Sequence, residues 1–216
     1  MLGMQEPAVA LTDFLIFVEC LVLTVLIIRK KSRNINLKSF VVLFFTSIGL
    51  VALLGGIVHG YFPEDLSSLS IGFWKVLLTL LGLTALSIWG IIGCFFNEKY
   101  ARAIFYFSVV EFILYIFVLD FTGGKFSMAL YNYLLPVVLL YVILLVSFYV
   151  RKGHNGLGFG SLGILLAFAG ALVQQAQLSL HQLYFDYNTF YHVIQFFSLL
   201  CMFIAFKQLI EEKKLS

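Results

Sequence analysis

Residues 185–206 read FDYNTFYHVIQFFSLLCMFIAF, and the second part of this stretch decides the fold. From Asn188 to Phe206 the chain carries no Asp, Glu, Lys or Arg, and large apolar side chains predominate. A helix rises about 1.5 Å per residue, so a run of this length comes close to crossing the hydrocarbon of a bilayer. The stretch therefore predicts a transmembrane helix with polar side chains at its amino-terminal end.

Comparable apolar runs recur along the whole chain. Hydrophobic residues make up 62% of the sequence and charged residues 12%, with a mean hydropathy of +1.01, which is outside the range of soluble domains. Continuous apolar runs without alternation indicate helices instead of a barrel. We predict an all-α integral membrane protein, a single seven-transmembrane-helix bundle over residues 1–216. The predicted spans are 8–28, 39–62, 73–96, 100–119, 126–150, 157–178 and 188–206.

Lysines and arginines gather at alternate span ends. Twelve of the 14 follow spans one, three, five and seven, and only Lys75 and Lys125 lie on the other side. Because basic residues are retained on the cytoplasmic side, we expect the amino terminus outside and the carboxyl terminus in the cytoplasm of the cell (inner) membrane. The loop RKKSRNINLK, residues 29–38, is interpreted as a topology signal, with an anionic-lipid contact as the alternative. The basic residues of this loop therefore do not indicate nucleic-acid binding.

Three of the four histidines fall at the predicted outer face. His59 lies near the end of span two, His181 follows span six, and His192 lies about one turn inside span seven. On a helix, Asn188, His192 and Gln195 occupy positions i, i+4 and i+7, so they form one polar stripe. Unpaired polar groups facing lipid are costly. We therefore expect this stripe to line a polar cavity that opens outward.

Carboxylates are predicted at the same face. Asp13 lies near the start of span one, and Asp65 lies in the loop after span two. Three imidazoles with carboxylates to orient their second ring nitrogens match the needs of a zinc site that keeps a position open for water. The alternative is that these residues are interfacial anchors. The candidate metal ligands are His59, His192 and His181, and the candidate catalytic residues are Asp13, Asp65 and Asn188.

The arrangement resembles the CREST superfamily of seven-span membrane hydrolases, which includes alkaline ceramidases and the adiponectin and progestin receptors. His59 is similar to that family's histidine near the end of span two. The sequence NTFYH, residues 188–192, is similar to its His-x-x-x-His pair in span seven, with Asn188 replacing the first histidine. Gly55 stands where the family has a serine, and span three has no acidic residue. The resemblance implies a zinc cofactor and hydrolysis of an amide or ester in a membrane lipid.

Two further carboxylates, Glu19 and Glu111, fall near the middle of spans one and four. A charge at that depth is costly, so we expect each to be protonated and hydrogen-bonded, to Gln174, Gln175 or Asn132. Buried ionisable groups in a membrane also mark proton relays. They support an alternative function, a proton-coupled transporter of small solutes. A third interpretation is a non-enzymatic membrane protein in which these carboxyls hold helices together.

A glycine motif opens span six. The segment NGLGFGSLGILL, residues 155–166, contains GxGxxG as Gly158, Gly160 and Gly163. Because the motif opens a transmembrane helix and does not follow a strand, it favours close helix packing over dinucleotide binding. No phosphate loop, Ser-His-Asp order or kinase signature is present in the sequence.

Overall fold

Seven long helices make up the described part of the protein in a computed structural model. The structure describes residues 4–62, 68–151, 155–181 and 184–211. All seven helices are long and apolar enough to cross a membrane, which confirms the predicted all-helical class. Insertion into a bilayer and the side on which each end lies stay predictions. The helices are α1 (Pro7–Arg29), α2 (Ile35–Tyr61), α3 (Ser68–Gly93), α4 (Glu98–Phe121), α5 (Phe126–Val150), α6 (Asn155–Gln175) and α7 (Tyr187–Glu211).

Side-chain caps determine where several helices begin. The side chain of Asn34 accepts a hydrogen bond from the backbone N–H of Leu37 at 3.0 Å, so α2 begins four residues before the predicted span. Asp186 accepts a hydrogen bond from the backbone N–H of Thr189 at 2.8 Å. This bond caps the amino-terminal end of α7, fewer than two turns before His192.

Six of the helices form a closed ring. α1 packs on α2, α2 on α3, α3 on α5, α5 on α6 and α6 on α7, and α7 returns to α1. α4 lies outside this ring against α3 and α5, and its buried residues are Ser108, Tyr115 and Leu119. α2 also contacts α7 directly. Side chains from α1, α2 and α7 can therefore meet at a common point.

An aromatic cluster holds α2 antiparallel to α7. Phe44 and Phe45 lie near the start of α2 and contact Phe206 near the end of α7, with ring centroids 5.6 and 6.1 Å away. All three side chains are fully buried. With these ends fixed together, the end of α2 lies beside the start of α7, where His59 and His192 are found.

Two glycines of α2 permit its close approach to α1. A Cβ atom at Gly55 would lie 2.9 Å from Oδ2 of Asp13, and one at Gly56 would lie 2.7 Å from the ring of Phe14. A side chain at either position would therefore force the neighbouring side chain of α1 to move. As a result the carboxyl group of Asp13 lies directly on the α2 backbone.

The glycines of α6 pack against neighbouring helices, as the motif predicted. A Cβ atom at Gly163 would lie 2.7 Å from the backbone oxygen of Ser198 in α7. The Ser198 hydroxyl in turn donates a hydrogen bond of 2.7 Å to the backbone oxygen of Gly163. Gly158 and Gly160 also face side chains of adjacent helices. The motif thus brings α6 close to its neighbours.

Candidate functional site

The side chain of His192 in α7 lies against α1, between two of its polar residues. Its Nε2 atom is 3.4 Å from Oδ1 of Asp13, and its Nδ1 atom is 3.0 Å from Oγ1 of Thr12. The side chains of His192 and Asp13 are only 10% and 8% exposed. The predicted inward direction of His192 is therefore present in the structure.

Thr12 determines which nitrogen of His192 carries the proton. Its Oγ1 atom lies 2.8 Å from the backbone oxygen of Val9, to which only the hydroxyl can donate. With its hydrogen used in this way, Oγ1 accepts from an N–H group at Nδ1 of His192. We assign the tautomer from this pattern. A neutral ring then carries its lone pair on Nε2, where it can accept a hydrogen bond from Asp13 when that carboxyl group is protonated.

His59 at the end of α2 has a partner of its own. Its Nδ1 atom is 2.6 Å from Oε2 of Glu6, the residue just before α1. Backbone bonds hold this pair in place, because the N–H of Gln5 donates to the oxygen of Gly60 at 3.0 Å and that of Glu6 donates to the oxygen of His59 at 3.2 Å. The carboxylate thus orients the ring and leaves its Nε2 atom for another ligand.

These residues form one polar cluster, which we define as Glu6, Thr12, Asp13, His59 and His192. His59 is linked to the start of α1 by backbone hydrogen bonds at Gln5 and Glu6, and His192 contacts the same helix about two turns further along, at Thr12 and Asp13. The Oδ2 atom of Asp13 is buried and has no hydrogen-bond partner. The side chain of Glu6 is 42% exposed and that of Asp13 is 8% exposed, so burial increases from Glu6 to Asp13.

Gly55 makes room for the carboxyl group of this cluster. It lies one helical turn before His59 and faces Asp13, as its packing shows. Gly55 occupies the α2 position at which the CREST superfamily has a serine, and the side chain of Asp13 fills the space beside it. The sequence showed Asp13 near the start of span one, but the contact across helices became visible only in the structure.

The two other predicted members of the α7 stripe are Asn188 and Gln195, and Asn188 faces away from the cluster. Asn188 accepts a hydrogen bond from Nε2 of Gln174 at 3.2 Å, so it faces α6. Gln195 is partly buried one turn beyond His192. The stripe therefore divides between two neighbours, because α6 and α1 flank α7 on different sides.

His181 lies in the connection between α6 and α7. Its Nδ1 atom accepts a hydrogen bond of 3.2 Å from the backbone N–H of Tyr184, and the two rings are 5.1 Å apart. A short antiparallel bridge between His181 and Phe185 shapes this turn. Asp65 and His154 lie outside the described residues, so their predicted places stay predictions.

The donor atoms of the polar cluster suit zinc, but they are not grouped around a single point. Two imidazole Nε2 atoms and a carboxylate are ligands that zinc accepts. Within residues 4–62, 68–151, 155–181 and 184–211, however, no three His, Cys, Asp or Glu side chains form a group that could hold a metal ion. His59, His181 and His192 are therefore not gathered into one such group, and zinc stays a prediction.

The comparisons with known proteins give a family and no function. The sequence pattern of one protein family matches residues 8–211, nearly the whole chain. The chain belongs to DUF6962, a family of unknown function. No curated protein and no solved structure matches the chain. The likeness of this DUF6962 protein to the CREST superfamily therefore rests on the quoted residues alone.

The mid-span carboxylates of the DUF6962 protein lack the expected partners. Both carboxyl oxygens of Glu19 and the Oε2 atom of Glu111 are buried without a hydrogen bond. The side-chain amide nitrogen of Asn132 is likewise unpaired, and Gln174 bonds Asn188 instead. α1 and α4 make no contact along their described lengths, so the two carboxylates lie in different parts of the bundle.

Proposed function

We propose that this DUF6962 protein is a membrane-embedded hydrolase of a lipid amide or ester, with the polar cluster as its reaction site and zinc as its metal. The observation that carries the proposal is the common orientation of two histidines. His59 and His192 each have Nδ1 held by a side-chain oxygen, from Glu6 and Thr12, so Nε2 is in both rings the nitrogen that could bind a metal, and Nε2 of His192 has Asp13 beside it at 3.4 Å. Metal-binding histidines are held in this way by outer partners.

Each member of the cluster has a role in this proposal. His59 and His192 would hold zinc through Nε2, while Glu6 and Thr12 keep their rings oriented. Asp13, with Oδ2 unpaired beside them, accepts the proton of the attacking water. Zinc, when bound, polarises the carbonyl group and activates that water.

A zinc site that keeps a position open for water needs a third protein ligand. His181 lies apart from His59 and His192 within the described residues, so Asp65, which lies outside those residues, is the remaining candidate for this position. Gln195, about one turn beyond His192 on α7, is the proposed water-binding group, whereas the side chain of Asn188 is bonded to Gln174 of α6. The substrate reaches the cluster laterally from the membrane lipid, because the carbonyl group of an acyl chain lies near the depth of a helix end.

Hydrolysis in a reconstituted bilayer tests the proposal. The purified protein is incubated in nanodiscs with lipid amides and acyl esters, and released fatty acid is measured by mass spectrometry. We expect release by the native protein, and a loss of at least about 100-fold in His59→Ala and His192→Ala, as for removal of a metal ligand. The control is Thr24→Val, a buried change in α1 outside the cluster. Absence of release from every lipid, or unchanged release by both histidine variants, would contradict the proposal.

The unpaired carboxyls of Glu19 and Glu111 favour a second candidate, a proton-coupled transporter. This candidate predicts proton flux into liposomes that Glu111→Gln abolishes and that chelators do not affect. The matched control is Glu98→Gln, because Glu98 is an exposed carboxylate on the same helix. Equal flux through Glu111→Gln and the control would exclude this role for Glu111.

A further inference from the structure

A basic cavity lies at the opposite end of the bundle from the polar cluster. It occupies about 630 Å³ between the end of α1 and the start of α2. Its polar lining consists of Arg29, Lys30, Lys31, Lys38, Ser32 and Ser39, and none of its lining residues is acidic. The cavity is therefore a concentration of positive charge with hydroxyl groups beside it.

The four basic side chains of this cavity are not equivalent. Nζ of Lys30 pairs with Oε1 of Glu211 at 2.6 Å. Nζ of Lys38 donates to the backbone oxygens of Ile28 and Lys30 at 2.7 and 2.8 Å, so it caps the end of α1.

Two of the cavity's cations are free to bind a ligand. Neither Arg29 nor Lys31 contacts a carboxylate in the described ranges, and both are exposed. A planar guanidinium with an adjacent ammonium group is well suited to bind phosphate oxygens.

The remaining wall of the cavity is apolar. Ile35 and Val42 lie two turns apart on one face of α2, and Ile35 is 74% exposed. This wall extends from the charged rim toward the middle of the predicted span. The start of α2 also directs the positive end of its helix dipole at the cavity. A ligand that fills the whole site is therefore anionic at one end and apolar at the other.

We propose that this cavity binds the phosphate group of an anionic phospholipid, with an acyl chain along Ile35 and Val42. A topology signal alone requires only basic residues in the loop, and it accounts neither for a cavity nor for an apolar wall continuous with it. A soluble phosphate compound offers the same anion but leaves that wall uncovered. The inference does not depend on the proposed hydrolase, because the two sites lie at opposite ends of the bundle.

Lipid binding to the purified full chain tests this inference. Native mass spectrometry in detergent measures bound phosphatidylglycerol and bound phosphatidylcholine at equal concentrations. We expect the native protein to retain phosphatidylglycerol at least about tenfold better than phosphatidylcholine. Each basic residue attracts the net negative charge of phosphatidylglycerol, which phosphatidylcholine lacks. The double variant Arg29→Gln/Lys31→Gln should lose this preference. The control Lys99→Gln/Lys207→Gln removes the same charge at the same predicted face and should keep it.

Three results would overturn the inference. An equal loss of preference in the control pair would mean that any basic surface suffices. An unchanged preference in Arg29→Gln/Lys31→Gln would exclude the cavity. Displacement of phosphatidylglycerol by inorganic phosphate at the same concentration would assign the site to a soluble anion. If the double variant fails a circular-dichroism check of helix content, the single variant Lys31→Gln replaces it, with an expected loss of about threefold.

Discussion

At the scale of single residues, Thr12 decides the chemistry that His192 can perform. Its hydroxyl fixes the Nδ1 proton and leaves the lone pair of Nε2 facing Asp13. This role has no signal in the sequence, where Thr12 is one ordinary hydroxyl residue at the start of an apolar span. Thr12 has this role only because α7 packs on the face of α1 that carries it.

Replacing Thr12 by valine tests the role directly. Thr12→Val keeps the shape and leaves a buried N–H group of His192 unpaired, which should cost about 1–3 kcal/mol of unfolding free energy. Zinc affinity should fall about 10- to 100-fold. Thermal unfolding in detergent measures the first effect, with Thr24→Val as control, because the buried hydroxyl of Thr24 has no hydrogen-bond partner. Equal melting temperatures for the two variants would contradict this assignment.

Gly55 offers a second test at this scale. In Gly55→Ala the new methyl group would lie 2.9 Å from Oδ2 of Asp13, so the carboxyl must move or α1 must separate from α2. We expect a loss of about 1–3 kcal/mol in unfolding free energy. In Gly72→Ala, where nothing lies within 4 Å, stability should be unchanged or raised. Asp13→Ala should lower the unfolding free energy less in the Gly55→Ala variant than in the native protein, because the two residues are in contact. Additive losses would contradict this coupling.

At the scale of helices, much of the structure could be predicted from hydropathy alone. Each span is a predominantly apolar run, and the helices begin or end within a few residues of the predicted limits. A side-chain cap at Asn34 accounts for the earlier start of α2. The position of α4 outside the ring could not be predicted, because lipid-facing and core-facing side chains of a transmembrane helix are equally apolar.

The partners of the candidate site show the same limit. The histidines and Asp13 were recognisable because polar residues are rare in apolar spans. Glu6 was not recognised, since it precedes the first span and lies 53 positions before His59. The two residues meet because backbone hydrogen bonds tie the start of α1 to the end of α2. Such a contact has no local sequence signal.

Gly163 tests the packing of α6 on α7. In Gly163→Ala the added Cβ would lie 2.7 Å from the backbone oxygen of Ser198, which cannot rotate away. We expect the unfolding free energy to fall by about 3 kcal/mol. In Gly158→Ala the nearest atoms belong to the ring of Phe148, which can turn, so the cost should be about 1 kcal/mol or less. Chemical denaturation of both variants in detergent gives the comparison, and equal costs would contradict the backbone contact.

At the scale of the whole molecule, the distribution of basic residues predicts the orientation in the membrane. Cysteine labelling tests this orientation. The three native cysteines are replaced by serine, and a single new cysteine is introduced at one of two exposed positions, Phe121 or Asn36. A membrane-impermeant maleimide applied to intact cells should label Phe121→Cys. It should label Asn36→Cys only after permeabilisation. The reverse pattern would place the polar cluster on the cytoplasmic side.

The metal content of the purified protein tests the central claim most directly. Elemental analysis of the native chain, prepared without added metal or chelator, should find about one zinc per molecule. His59→Ala and His192→Ala should each lose most of it, and Thr24→Val should retain it. A native protein without stoichiometric zinc, or histidine variants with the same zinc content as the native protein, would contradict the account.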